Sequence, residues 1–400
     1  MDRVPLALLM PRSLVATGTS DPTAVLRGLE AALAGGPALL PVAEGAPALP
    51  TPPPAEVRQA VALVVETSGS TGTGKRVALS SEALLAGAAA ADAALGGPGR
   101  WVLALPTHYI AGINVLTRSI TAGTDPVVVP PGHFAAAAFT EAAERLVVGP
   151  AAPRRYTSLV PVQLARVLDD PDAMRALARF DAVLVGGQAT PAPLRQRALD
   201  AGVRIVTTYG ASETSGGCVY DGVPFGTVRT ALVDGELHLA GPMLAEGYLD
   251  DDARTASAFV ERDGLRWYRT GDTATLSDGV VRVLGRLDDV VISGGEKVQL
   301  GAVERLVRGL PGQVSAVVAR RSAGEWGEVP VVVTEQPLDL EAARTHVGAA
   351  LGRAARPADV VLVDRIPMLP SGKPDRRAVQ ALVDPVRSSG PRAAGRSHRQ

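Results

Sequence analysis

The stretch Thr67-Ser68-Gly69-Ser70-Thr71-Gly72-Thr73-Gly74-Lys75 directly follows the apolar run Val61-Ala62-Leu63-Val64-Val65 and narrows the folds open to this chain. Glycines let backbone N–H groups turn toward an anion without a Cβ in the way, hydroxyls add donors, and the lysine brings a mobile positive charge. The stretch therefore reads as a phosphate cradle. Gly69 to Lys75 fits the spacing G-x-x-x-x-G-K, but the next residue is Arg76, where a P-loop needs a Ser or Thr hydroxyl for magnesium. A P-loop also runs straight into a helix whose N-terminus holds the phosphates. Here Arg76-Val77-Ala78-Leu79 has strand character, and a helix cap is available only at Ser80 or Ser81. The sequence predicts a strand–loop–strand hairpin.

A chain of 400 residues exceeds one ordinary core and suits two or three domains. Its formal net charge of -1 argues against a nucleic-acid partner, which calls for a basic domain. Asp2, Pro5 and Pro11 interrupt the N-terminal apolar run, so it does not resemble a signal peptide, and no apolar stretch is long enough to insert in a membrane. The lone cysteine, Cys218, excludes an intramolecular disulfide and fits a reducing, cytoplasmic location. With no His or Asn signature beside it, Cys218 reads as a small buried side chain rather than a nucleophile.

From Val61 to about Asp200, short apolar runs alternate with helical patterns; Trp101–Leu105, Pro126–Val129 and Ala182–Val185 are strand candidates. After Gly222 the pattern changes to short strands broken by turns such as Val233-Asp234-Gly235-Glu236 and Leu276-Ser277-Asp278-Gly279. A last unit carries a helix near Ala302–Leu310, strands Val314–Ala319 and Val329–Thr334, and a helix near Asp339–Leu351. The expected architecture is α/β: a large N-terminal domain over 1–287 with a β-barrel-like subdomain, a small mobile α+β domain over 288–385, and a disordered tail over 386–400.

Four further segments join the cradle: Tyr209-Gly210-Ala211-Ser212-Glu213-Thr214, Tyr268-Arg269-Thr270-Gly271-Asp272, Gly285-Arg286-Leu287-Asp288-Asp289 leading into Ser293-Gly294-Gly295-Glu296, and Leu369-Pro370-Ser371-Gly372-Lys373. In this order the five resemble the signature set of the adenylate-forming superfamily, which includes acyl-CoA synthetases, luciferases and peptide-synthetase adenylation domains. The resemblance runs from about Val61 to Val379. It implies ATP, Mg²⁺ and coenzyme A as co-substrates and cofactor, with a small-molecule acid as the partner. By the same resemblance, Thr67, Ser68, Gly69, Ser70, Thr71, Gly72 and Lys75 bind the ATP phosphates, Glu213 holds Mg²⁺, Ser212 contacts the AMP phosphate, Tyr209 stacks on adenine, and Gly210 is among the residues that bind ATP. Gly186-Gly187-Gln188 lines the adenine pocket, Asp272 accepts from both ribose hydroxyls, and Arg286 reaches the ribose or phosphate. Lys373 bridges the carboxylate and the α-phosphate, Asp288 is a hinge, and Ser293-Gly294-Gly295 lines the CoA channel after the small domain rotates. Lys373, Glu213 and Arg286 are the implied catalytic set. Taken singly, each has a plainer reading as a turn former, helix cap or surface charge.

The phosphate loop is preceded by only 66 residues. That short form, with Tyr209 to Gly217 running into Cys218-Val219-Tyr220-Asp221-Gly222, resembles the actinobacterial type of o-succinylbenzoate–CoA ligase of menaquinone biosynthesis. Leu105 to Gly112 fits the acid-binding segment of that type, with Tyr109 where other members have histidine and His108 one position earlier. The resemblance places His108, Tyr109, Gly112 and Arg118 around the acid, Arg118 pairing the carboxylate that is not activated. A solvent-facing helix arginine is the alternative for Arg118. Another aryl or acyl acid of secondary metabolism, a non-catalytic adenylate-fold binding protein and a P-loop kinase are the rival functions. The oligomeric state, a homodimer among the options, is not set by the sequence.

Overall fold

The computed structural model describes residues 11–45, 51–67, 74–146, 153–369 and 373–384. The chain divides into two compact units, residues 1–288 with 371–373 and residues 289–370 with 374–400. The tail expected over 386–400 lies outside the described residues.

The hairpin expected around the cradle is present. Val61–Thr67 and Lys75–Ser80 pair antiparallel, from Val61 opposite Ser80 to Thr67 opposite Lys75. Ser80 then caps the helix Ser81–Leu95 by accepting the Ala83 N–H on its hydroxyl. No helix follows the loop directly, so the P-loop arrangement is excluded. Arg76 is buried on the hairpin, donating to Glu66 Oε1 at 2.9 Å and to the Thr51 carbonyl at 2.7 Å. This hairpin lies in a six-stranded sheet between Gly247–Tyr248 and Ala38–Val42. Val61 to Val65 are all buried, as a continuous apolar run requires when both faces of its sheet are covered.

A seven-stranded sheet carries the rest of the α/β part. Its strands Ile205–Ala211, Ala182–Val185, Arg154–Leu159, Gly99–Leu103 and Val127–Val128 are parallel, while Gly216–Tyr220 turns back on Ile205–Ala211. The helix Ile110–Thr121 packs in the core next to Leu84, Trp101 and Tyr156. Gly112 is required there, because a Cβ would meet the Pro106 carbonyl oxygen at 2.2 Å. The barrel-like part is a five-stranded antiparallel sheet centred on Leu265–Ser277. Its hairpins turn at Asp234-Gly235, Asp263-Gly264 and Asp278-Gly279, all with positive φ, the paired left-handed geometry that suits right-twisted strands.

The second unit is α+β. A three-stranded sheet, Val317–Ser322, Glu328–Thr334 and Asp359–Leu362, carries the helices Leu300–Arg308, Leu340–Leu351 and Arg376–Val383. Val317–Ser322 starts later than the sequence suggested because the segment before it turns: Gln313 is buried and its carbonyl accepts the Ala316 N–H at 3.0 Å.

Candidate active site

Two carboxylates, buried Glu213 and half-buried Asp272, organise the site on the first unit. Glu213 sits on the short 3-10 turn Ser212–Thr214 at the end of Ile205–Ala211 and is 3% exposed. Lys75 Nζ donates to its Oε1, and so does Tyr248 Oη at 2.8 Å. Lys75 Nζ also lies 3.3 Å from Tyr248 Oη and 4.9 Å from the ring centroid. The turn is held from behind. Asn114 Nδ2 donates to the Ser215 carbonyl at 2.8 Å, Ser215 Oγ to the Met243 carbonyl at 2.8 Å, and Thr214 Oγ1 to the Gly216 carbonyl at 2.8 Å. A Cβ at Gly216 would collide with Asn114 Nδ2 at 2.0 Å, so Gly216 allows the helix Ile110–Thr121 to approach.

Asp272 is the second carboxylate. Tyr209 Oη donates to its Oδ2 at 2.6 Å, and Arg286 Nη1 lies 3.4 Å from its Oδ1. Asp272 and Arg286 are register partners on adjacent antiparallel strands. Arg286 also donates to the Thr270 carbonyl at 2.8 Å and to Asp288 Oδ1 at 3.2 Å. Burial raises the Asp272 pKa above the ordinary Asp range, although Tyr209 and Arg286 oppose it. Burial and then Asp272 push the Tyr209 phenol up, and burial and then Glu213 do the same to Tyr248. Tyr268 is buried within electrostatic reach of Glu213, Tyr248, Tyr209 and Asp272, so it links the two carboxylate centres. Tyr248 and Tyr268 hold no role in the sequence reading, since their shared partner Glu213 is brought to them only by the fold.

Of the other residues that the sequence reading assigns to a nucleotide, Ser68, Gly69, Ser70, Thr71 and Gly72 lie outside the described residues. Thr67 at the hairpin end has a buried hydroxyl with no partner among the described residues, which suits a donor facing phosphate. Gly186 passes close under Thr208, where a Cβ would meet the hydroxyl at 2.2 Å, and Gly187 has φ +79°. Gln188 follows them in the same loop after Ala182–Val185. Gly210 crosses tightly over Gly216, whose carbonyl a Cβ would meet at 2.0 Å. Lys373 groups with the first unit, while Ser371 and Gly372 lie outside the described residues. The Lys373 side chain stays accessible, yet the protein around its ammonium lowers its pKa against the pull of Glu213 and Asp272.

The residues expected around the acid lie on the helix Ile110–Thr121 and the turn before it. His108 Nδ1 lies 3.4 Å from Thr19 Oγ1, its ring is 4.0 Å from that of Tyr109, and burial lowers its pKa. Arg118 is 4% exposed and does not face solvent. Its Nη2 donates to Tyr220 Oη at 3.0 Å and its guanidinium lies 5.0 Å from the Trp101 ring centroid. Arg118 Nε is a buried donor with no acceptor among the described residues.

On the second unit, Gly294 (φ +55°) and Gly295 (φ +84°) form the two-residue turn between Val290–Ser293 and Glu296–Gln299. Gly294 N–H donates to the Trp326 carbonyl at 2.8 Å, and Ser293 is buried. Cys218 is fully enclosed, and burial pushes its thiol up to about 12, which removes it as a nucleophile.

The residues present fit a nucleotide with its metal. No group of three His, Cys, Asp or Glu side chains is placed to chelate a cation among the described residues. Mg²⁺ is often held by one or two carboxylates with water and substrate phosphates supplying the rest, and Glu213 offers such a carboxylate. No helix among the described residues is long and apolar enough to cross a membrane.

A family model for AMP-binding enzymes matches residues 17–249. A probable 2-succinylbenzoate–CoA ligase of Mycobacterium tuberculosis is 42% identical over 329 residues, spanning 80% of this chain and 84% of that protein. Novobiocin biosynthesis protein H of Streptomyces niveus is 32% identical over 368 residues, spanning 84% of this chain and 59% of that protein. Among solved structures, wild-type E. coli MenE with a bound analogue of OSB-AMS superposes with a TM-score of 0.68 at 24% identity, over 93% of this chain and 88% of that one. At that identity the likeness carries the fold alone.

Proposed function

We propose a reaction for this chain from one premise: it belongs to the family of AMP-binding enzymes. The chain is an ATP-dependent acid–CoA ligase, and its acid is o-succinylbenzoate, a dianionic aryl acid of menaquinone biosynthesis. A carboxylate at neutral pH is a poor electrophile. A carboxylate oxygen therefore attacks the α-phosphorus of ATP and the bond to pyrophosphate breaks; the CoA sulfur then attacks the acyl carbon of the acyl-adenylate, the bond to AMP breaks, and the thiol proton is released. Dense negative charge builds up in the first step, so preorganised donors and cations carry the catalysis.

Asp272 receives the ribose hydroxyls beside Tyr209, and Arg286 bridges from that carboxylate toward the phosphates. Lys75, with Thr67 to Gly72, holds the phosphate chain. Glu213 would hold Mg²⁺, which when bound offsets the charge of the phosphate oxygens. Lys373 steadies the reacting carboxylate, Asp288 serves as the hinge between domains 1–287 and 288–385, and Ser293-Gly294-Gly295 faces the pantetheine arm.

One observation carries the substrate: a buried arginine, Arg118, keeps its Nε donor without an acceptor while Tyr220 and Trp101 hold its other side. Asp92 is within electrostatic reach, but no ion pair to Arg118 forms among the described residues, so the buried charge can take a close anionic partner, and the second carboxylate of o-succinylbenzoate supplies one. The mycobacterial relative supports the same reading. The novobiocin relative favours a second reading, ligation of another aryl acid. CoA-dependent AMP release across a panel of aryl and acyl acids separates the two. Turnover of o-succinylbenzoate well above monoanionic aryl acids is expected; a preference for a monoanionic acid overturns the substrate and leaves the ligase class standing.

A further inference from the structure

Glu236 is 6% exposed, and the reaction outlined above gives it no task. It stands on the strand Glu236–Ala240, which pairs antiparallel with Leu265–Ser277. His238 faces Arg269 and Glu236 faces Thr273, so Thr270, Gly271 and Asp272 must all be accommodated opposite Leu237. Such a bulge withdraws backbone groups from the ladder, and each then needs another partner. Glu236 supplies it. Its Oε1 accepts the Gly271 N–H at 3.0 Å, while Oε2 accepts from Arg269 Nη2 at 3.0 Å and from Arg269 Nε at 3.3 Å. Thr270 Oγ1 completes the bulge by donating to the Leu237 carbonyl at 2.7 Å and accepting the Asp272 N–H at 3.0 Å. Gly271 has φ +68°, and a Cβ there would lie 2.8 Å from Arg286 Nη2.

The carboxylate thus fixes the residue immediately before Asp272 through its backbone N–H. We infer that Glu236 is a positioning residue for nucleotide recognition, clamping the bulge that aims Asp272 at the ribose. This rests on Asp272 being the ribose acceptor. Burial raises the Glu236 pKa, but the Arg269 fork, the Gly271 N–H and His238 outweigh it, so Glu236 remains a charged acceptor at neutral pH. A charged acceptor on a backbone N–H is a strong bond, and its partner's loss leaves the bulge free to relax.

The test is titration calorimetry of ATP and 2′-deoxy-ATP binding to wild type, Glu236→Ala, Glu236→Gln and Asp272→Ala. Wild type is expected to prefer ATP. Glu236→Ala should weaken ATP roughly tenfold and 2′-deoxy-ATP much less, so that the preference collapses. A folded Glu236→Ala that binds both nucleotides like wild type, or loses both alike, overturns the positioning role. Should Glu236→Ala fail to fold, Glu236→Gln decides: its amide cannot satisfy both Gly271 and Arg269, so a lowered preference supports the role and a wild-type preference overturns it. Asp272→Ala is the control for the underlying reading. If it leaves the preference intact, the ribose assignment fails, whatever Glu236 does.

Discussion

Replacing Arg118 by alanine tests the substrate assignment most directly. The guanidinium is 4% exposed, fixed by Tyr220 Oη at 3.0 Å and by the face of Trp101, with the Asp92 carboxylate within electrostatic reach. Two losses follow from its removal. The substrate's second carboxylate loses its partner in a site that water cannot refill well, which costs about 3–5 kcal/mol in transition-state binding. The fold also loses the Arg118 packing and leaves Asp92, whose pKa burial already raises, without the cation that opposed the shift. The second loss affects every substrate equally, because it concerns the enzyme alone. The assay is therefore kcat/KM for o-succinylbenzoate and for an analogue lacking the ring carboxylate, both measured on the same folded Arg118→Ala protein. The ratio of the two values should fall by roughly 10² to 5 × 10³ relative to wild type. If both substrates lose activity by the same factor, Arg118 only holds the helix Ile110–Thr121 against its neighbours, and the dianionic substrate loses its physical basis.

Two other perturbations separate the nucleotide roles. Asp272→Ala should weaken ATP binding by about 1–3 kcal/mol in calorimetry while leaving the acid's apparent affinity nearly unchanged; unaltered ATP affinity would refute the ribose assignment. Burial places the Asp272 pKa above the ordinary Asp range, so ATP affinity should decline as pH falls toward that raised value, because the protonated acid loses acceptor capacity; Asp272→Asn should flatten that limb of the profile. Lys373→Ala should cost adenylation roughly 3–4 kcal/mol and spare thioester formation from a supplied acyl-adenylate, and equal loss in both half-reactions would count against domain alternation.

The hairpin was legible because local chemistry decides it: Arg76 in place of a hydroxyl, strand-forming residues after Lys75 and a serine cap at Ser80 all point one way, and the pairing of Thr67 with Lys75 agrees. The Asp-Gly turns of the antiparallel sheet were legible for the same reason, since few other pairs adopt positive φ twice. Partners across the fold were not. Nothing near Tyr248 in the chain tells that a strand of two residues, Gly247–Tyr248, pairs with Lys75–Ser80 and carries the phenol to Glu213. Nor does the polarity of the helix Ile110–Thr121 reveal its burial. Thr117 and Ser119 return their hydroxyls to the Ile113 and Val115 carbonyls of the same helix, and Asn114 and Arg118 find partners on Gly216–Tyr220 and the turn before it, so polar residues there do not mark a wet face.

The choice of partners around the two carboxylates bears on how a nucleotide could enter. Glu213 and Asp272 each accept from a tyrosine hydroxyl, and their only cationic neighbours at hydrogen-bond or ion-pair distance among the described residues are Lys75 and Arg286. A neutral phenol satisfies a buried oxygen without cancelling its charge, so the carboxylates retain their attraction for a metal or for ribose hydroxyls. Lys75 is the more mobile of the two cations, a single ammonium on a flexible stem that meets only one oxygen of Glu213. Exchanging Lys75 from Glu213 to a phosphate would leave Tyr248 in place as a donor to Oε1, so Glu213 would keep a hydrogen bond while its charge became available to a metal ion. Arg286, by contrast, is tied at once to Asp272, Asp288 and the Thr270 carbonyl, so it stays where the strand pairing puts it. On the assignment proposed above, the phosphate end of the site exchanges partners while the ribose end holds still, the division of labour that adenylation needs: pyrophosphate must leave while the AMP moiety remains bound.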